Sequence, residues 1–133
     1  MIHKFDTCIY PRNVWVAVTP KESEITDKFL EASGRELSLD DLYEFNFEAC
    51  AFRVRDKETK ELGCVIWFPR KSSMTVKIIA HESVHCALDI FEDVGAIITP
   101  NNQEPFAYLV GFCAECCQKV KTNSVFPDNN IQS

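Results

Sequence analysis

Met74-Thr75-Val76-Lys77-Ile78-Ile79-Ala80-His81-Glu82-Ser83-Val84-His85-Cys86-Ala87-Leu88-Asp89-Ile90-Phe91-Glu92-Asp93-Val94-Gly95 is the stretch that decides the fold. Before it, apolar residues recur every second position. From Met74 onward the period becomes 3.6, the spacing of a helix. Ile78, His81, His85 and Asp89 then share one helical face, and Val76, Ile79, Val84, Leu88 and Phe91 supply apolar surface around the rest. The helix is expected to run to about Val94, with Gly95 closing it in the left-handed conformation that glycine tolerates.

Working toward the C-terminus, Ala96 to Gln103 reads as a loop. A second helix is expected from Glu104-Pro105, with proline in the first turn, where its missing N–H costs nothing. Phe106, Leu109, Val110, Cys113, Cys117 and Val120 are its packing positions. Working toward the N-terminus, Gly63 to Phe68 is a strong strand, stopped or held at a sheet edge by Pro69. It forms a hairpin with Cys50, Phe52 and Val54 across the polar stretch Arg55 to Glu61. Tyr43, Phe45 and Phe47 alternate in a different phase, so a bulge or break is expected near Ala49. Residues 7–18 read as a strand interrupted by Pro11. Thr19-Pro20 then opens a helix with Thr19 as N-cap, Ile25, Phe29 and Ala32 as its buried face, and Gly34 as its end. Ser38 to Asp41 suggests a short capped turn. The fold class is α+β: a small, mainly antiparallel sheet packed on two helices. Residues 1–122 are expected to form a single domain, and 123–133 a polar, frayed tail.

Composition narrows the classes of function. The chain has 133 residues, 46% of them hydrophobic and 26% charged, with ten Phe and two Trp, enough for a core without covalent staples. A net charge of −6 with no basic stripe argues against nucleic acid as a partner. No apolar run reaches membrane-spanning length, and the start lacks the apolar core of a secretory signal. Seven cysteines, an odd number, argue against a disulfide framework. The expectation is a cytoplasmic chain in a reducing compartment, with mostly buried thiols.

Of only three histidines, two fall in His81-Glu82-Ser83-Val84-His85. On a helix, positions four apart project from one face one turn apart, so both imidazoles can reach one ion. Glu82, beside the first of them, sits at the edge of that face, where a carboxylate can take a proton from metal-activated water without itself binding the metal. A carboxylate-bridged iron site would need a second Glu-x-x-His helix, and there is none. A catalytic zinc site takes three protein ligands. Glu104, nineteen positions after His85 at the head of the next helix, is the candidate third; its alternative role is a first-turn carboxylate facing the helix dipole. Asp89 competes with it, or hydrogen-bonds a ligand imidazole from behind. Cys113-x-x-Cys116, with Cys117 and Cys86, lies inside a helix at core-facing positions and reads as buried thiols rather than a zinc or redox motif. Arg53, Arg55 and Lys57 read as a solvated hairpin face.

With Glu104-Pro105-Phe106-Ala107 on the next helix, His81-Glu82-x-x-His85 resembles the Glu-ligand zincin metallopeptidases (gluzincins), among them the minimal ImmA/IrrE-like domains. Ile79 to Phe112 is also similar in style to small proteins of this motif carried by bacteriophages. The resemblance covers the middle and last third of the chain. It implies a zincin-like arrangement, Zn²⁺ held by His81, His85 and Glu104, Glu82 as general base, and a protein or peptide substrate. It also implies an edge strand above the helix that aligns substrate by strand addition, for which Gly63 to Phe68 is the candidate. Trp67 and Phe68 would then offer apolar edges to that substrate. Where many gluzincins carry an acidic residue four positions after the glutamate ligand, this chain has Tyr108. That residue would polarise the scissile carbonyl or stabilise its oxyanion, or else it is simply a half-buried tyrosine. A non-catalytic zincin-like metal-binding protein used for binding or assembly is the alternative, and a metal-dependent amidase acting on something other than protein is a third.

Overall fold

The computed structural model describes residues 1–40 and 47–123. In chain order the elements are β1 (Ile2–Asp6), β2 (Asn13–Val18), α1 (Glu22–Lys28), β3 (Phe29–Glu31), β4 (Cys50–Asp56) and β5 (Leu62–Phe68). A single 3-10 turn (Lys71–Ser73), α2 (Val76–Val94) and α3 (Glu104–Lys121) follow. The strands make one five-stranded sheet in the order β1-β2-β5-β4-β3. Pairing is antiparallel throughout except between β2 and β5, which run parallel with Asn13 opposite Gly63 and Val18 opposite Phe68. The class is α+β as expected, but the sheet is mixed.

Side-chain alternation puts each strand residue on one of two faces. Val14 and Val16 of β2, with Cys64, Ile66 and Phe68 of β5, face α2 and α3 and join Ile79, Cys86, Ile90, Leu109 and Cys113 in the larger core. Trp15, Ala17, Val54, Val65 and Trp67 face the other way, onto Ile25 of α1, Phe29 and Leu39. Each fully buried aliphatic or aromatic side chain in these layers contributes about 1.5–3 kcal/mol of burial.

β5 occupies the middle of the sheet, hydrogen-bonded to β2 on one side and β4 on the other. The expectation of an edge strand over Gly63 to Phe68 is therefore wrong. Pro69 ends β5 without leaving it at an edge. Trp67 and Phe68 are fully buried, so neither can meet a substrate; the Trp67 indole Nε1 donates to the Thr19 carbonyl at 2.9 Å. Gly63 is required by the close β2 contact, because a Cβ there would lie 2.0 Å from the Asn13 carbonyl oxygen.

Three further expectations near the N-terminus need correction. The strand expected over 7–18 is a hairpin, β1 to β2, with residues 7–12 as its turn and Cys8 in the left-handed region at φ 69°. The Thr7 hydroxyl lies 2.9 Å from the carbonyl oxygens of Tyr10 and Arg12 and organises that turn. Thr19 is not the cap of α1: its hydroxyl accepts from the Lys21 N–H at 3.0 Å in the approach turn, and the helix begins at Glu22. α1 also ends at Lys28 because Phe29 enters the sheet as a buried strand residue against Trp15. Gly34 consequently serves the turn after β3, at φ 96°, and not a helix end.

The helices that carry the motif agree with the periodicity. Thr75 caps α2, its hydroxyl accepting from the Ile78 N–H at 3.2 Å. Gly95 closes it at φ 75°, with the Ala96 N–H returning to the Phe91 carbonyl at 2.9 Å. α3 opens at Glu104 with proline in the first turn and buries Leu109, Cys113, Cys116, Cys117 and Val120. β4 begins at Cys50, and the segment ahead of the break expected near Ala49 lies largely outside the described residues. The alternating segment 43–47 and the tail fall largely outside the described residues, as does the end of the turn at Asp41. Among the described residues no helix is long and apolar enough to cross a membrane.

Candidate metal site

Four-residue spacing on α2 brings the two imidazoles together. His81 Nε2 and His85 Nε2 lie 3.2 Å apart, the rings edge-to-face with centroids 4.8 Å apart. Two imidazole nitrogens bound to one tetrahedral zinc at about 2.0–2.1 Å each would sit roughly 3.3 Å apart. The 3.2 Å contact is within hydrogen-bond range for the two rings and is also close to that spacing. Both rings stand on the open face of α2, and the His81 side chain is 67% exposed.

Glu82 turns the other way, into the seam between α2 and the sheet. Its side chain is 9% exposed, with Oε1 3.9 Å from His81 Nε2. Burial pushes its carboxyl pKa up, against the pull of His81 and His85. A carboxylate in this environment is a stronger proton acceptor than one in water, while staying clear of the position between the rings.

Asp89, one turn beyond His85, is half-buried. Burial raises its pKa against the opposing charges of Arg53 and His85. Arg53 Nε lies 3.9 Å from Asp89, Arg53 Nη2 reaches Glu92 at 2.9 Å, and the Cys64 thiol approaches Asp89 at 3.8 Å. Asp89 is therefore engaged with β4 and β5. The solvated hairpin face expected for Arg53, Arg55 and Lys57 gives way to a set of ties: Arg53 to α2, Arg55 to the Ala32 carbonyl at 2.9 Å, and Lys57 toward Glu36 at 3.8 Å.

Glu104 and Tyr108 are both exposed on the outer face of α3, Tyr108 at 73%, along an open groove with Ala107, Gly111, Phe112 and Glu115. Among the described residues no group of three or more His, Cys, Asp or Glu is assembled that could hold a metal ion. His81 and His85 are adjacent, and Glu104 is not grouped with them.

Five cysteines of the core between the sheet and the α2–α3 layer, Cys64, Cys86, Cys113, Cys116 and Cys117, are buried free thiols, with Cys86 and Cys113 Sγ 3.6 Å apart. Burial raises the pKa of Cys64, Cys116 and Cys117, and the hydrogen bond with Cys113 is the first cause of the rise at Cys86. Thiols so disposed are packing groups, poor in the thiolate that redox chemistry needs.

One feature around the site has no signature in the sequence. Ala49 adjoins His81 and Glu82, while Arg53 reaches Asp89 and Glu92, so residues 49–53 run alongside the motif helix. On β4, β3 covers only Val54–Asp56, and among the described residues no strand covers the outer side of Cys50–Arg53. Spacing cannot reveal this, because it depends on how long β3 is. Comparison with protein-family models, with curated proteins and with solved structures finds no match in any of the three.

Proposed function

We propose that the protein is a zinc-dependent metallopeptidase, with His81 and His85 as metal ligands and Glu82 as general base. The observation that carries this reading is the 3.2 Å separation of the two imidazole nitrogens beside a buried carboxylate of raised pKa. Bound zinc would supply Lewis acidity, polarising the scissile carbonyl and making a water acidic. Glu82, through its carboxylate oxygens, takes the proton of the attacking water and returns it to the leaving amine. Glu104 is the proposed third ligand, which requires the 96–103 loop to reseat the first turn of α3 when metal binds. The proposed substrate strand lies along the outer edge of β4 at Cys50–Arg53, which no strand among the described residues covers and which suits an extended peptide laid beside the motif helix.

Glu82→Gln tests the chemistry, since it keeps shape and removes the base. The expected result is unchanged zinc binding with peptide hydrolysis reduced by about 10²–10⁴-fold, the usual contribution of a general base. Equal turnover by both proteins would sink the peptidase reading. The exposed placement of Glu104 and Tyr108 favours a second reading, a zincin-like protein that binds metal through the histidine pair and serves binding or assembly. Zinc binding that is insensitive to Glu104→Ala, together with no hydrolysis of any peptide, would select it.

A further inference from the structure

We infer that the hollow between the approach to β4 and the first turns of α2 is a side-chain subsite for one leucine- or phenylalanine-sized residue of a peptide lying along β4. The inference rests on the peptidase reading, which places that peptide. The hollow is bounded by Glu48, Ala49, Lys77, Ile78, His81 and Glu82, and its volume is about 150 Å³. An apolar cavity of about that size accepts a benzene-sized group. It is too small for an indole with its stem and wasteful for a methyl.

Its walls suit an apolar occupant. Ala49 presents a methyl group, and Ile78 is half-buried and packed on the main core, so that wall is fixed rather than mobile. Lys77 and Glu48 are both exposed at the rim and of opposite charge, with the buried Glu82 carboxyl at the inner edge. The two grooves along α3, one from Glu104 to Glu115 and the other around Ile98 and Phe106, include none of His81, Glu82 or His85 in their walls. This hollow has both the metal-side imidazole and the proposed base at its edge.

Geometry also limits the specificity to a single position. An extended peptide turns alternate side chains to opposite faces, with about 6.8 Å between those on one face. A residue entering beside Ala49 and Glu82 is therefore adjacent to the reacting bond. The next on that face falls beside Ala51 and the one after it, about 14 Å along, beside Arg53, which is tied to Glu92; neither residue lines the hollow. One dominant apolar preference next to the cleavage point is the expected signature.

The test follows the methyl signals of Ala49 and Ile78 by NMR in the full chain without added metal, so that binding is read apart from turnover. N-acetyl-leucinamide and N-acetyl-phenylalaninamide should shift both methyls at millimolar concentration. N-acetyl-glycinamide and N-acetyl-lysinamide should do so at least tenfold more weakly. Ala49→Leu should abolish the shift at Ile78, and Ile78→Ala, which enlarges the hollow, should admit N-acetyl-tryptophanamide. Absence of shifts, or equal response to the glycine or lysine compound, overturns the subsite. A peptide-library digest with zinc-loaded wild type and Ala49→Leu separates the two ideas. Cleavage whose preference ignores Ala49→Leu rejects the subsite and keeps the peptidase. Methyl shifts without cleavage of any library peptide keep the apolar subsite and reject the peptidase.

Discussion

Gly63 has more structural weight than its size suggests. Where β2 and β5 pair in parallel, the Asn13 carbonyl oxygen occupies the place a Cβ would take, at 2.0 Å. Backbone, not a flexible side chain, is what would have to give way. Gly63→Ala is expected to destabilise the protein by about 1–3 kcal/mol or more, the range for overpacking, read as a lower urea midpoint at unchanged slope. A midpoint equal to wild type would mean the two strands are not in this register. The histidine pair was legible at the same scale, because i and i+4 on a helix are neighbours whatever the tertiary fold. Glu104 was legible only as a helix-start carboxylate. Its distance from the pair depends on an eight-residue loop, 96–103, that periodicity does not describe.

Among the elements, the β4–β5 hairpin is anchored by one aspartate. Asp56 Oδ1 accepts from the N–H groups of Glu58 at 2.9 Å and Thr59 at 3.0 Å, and its Oδ2 lies 3.0 Å from Lys28 Nζ. Burial alone would raise its pKa. The backbone donors of Thr59 and Glu58 and the Lys28 ammonium outweigh that and hold it below the ordinary 3.8. A carboxylate depressed on folding stabilises the native state fully above its unfolded value and loses that contribution as pH falls through its folded value. Asp56→Ala should therefore cost about 2 kcal/mol at neutral pH. The gap from wild type, followed by urea denaturation, should narrow as the pH drops below 3.8; a gap that is constant with pH would show that charge plays no part. Element boundaries were readable where a cap or period marks them, as at Thr75 and Gly95. They were misread where burial decides. α1 stops because Phe29 belongs to the core. β1 leaves no signal in the pattern because Lys4 and Asp6 make a half-exposed outer strand without an apolar run.

At the scale of the whole molecule, the motif helix lies over a rigid sheet while its third proposed ligand sits on a separate helix. Metal that binds only the native state stabilises it by about 2.7 kcal/mol at a hundredfold excess over Kd, on the order of 5–10 °C in melting temperature for a chain of this size. Zinc should produce such a shift in wild type, a reduced one in Glu104→Ala, and none in the double variant His81→Ala, His85→Ala. An equal rise in wild type and double variant, measured by scanning calorimetry, would place the metal elsewhere. The α+β class follows from the change of period at Met74. The order of strands does not, because a pairing such as β2 with β5 joins segments whose partners are separated by fifty positions, and local pattern holds no trace of it.

That pairing has a consequence for how the chain is made. β5 fills the slot between β2 and β4, so a growing polypeptide that has emerged only as far as residue 60 exposes two sheet edges with nothing between them. Trp15 and Ala17 would then lack their β5 neighbours, and the β1–β2 hairpin would wait beside an unfilled seam. Such long-range closure slows folding and leaves strand edges open to the wrong partners. Synthesis of Leu62–Phe68 is thus the moment at which the two halves of the sheet become one, and a ribosome stalled before it would carry a sticky, incomplete product.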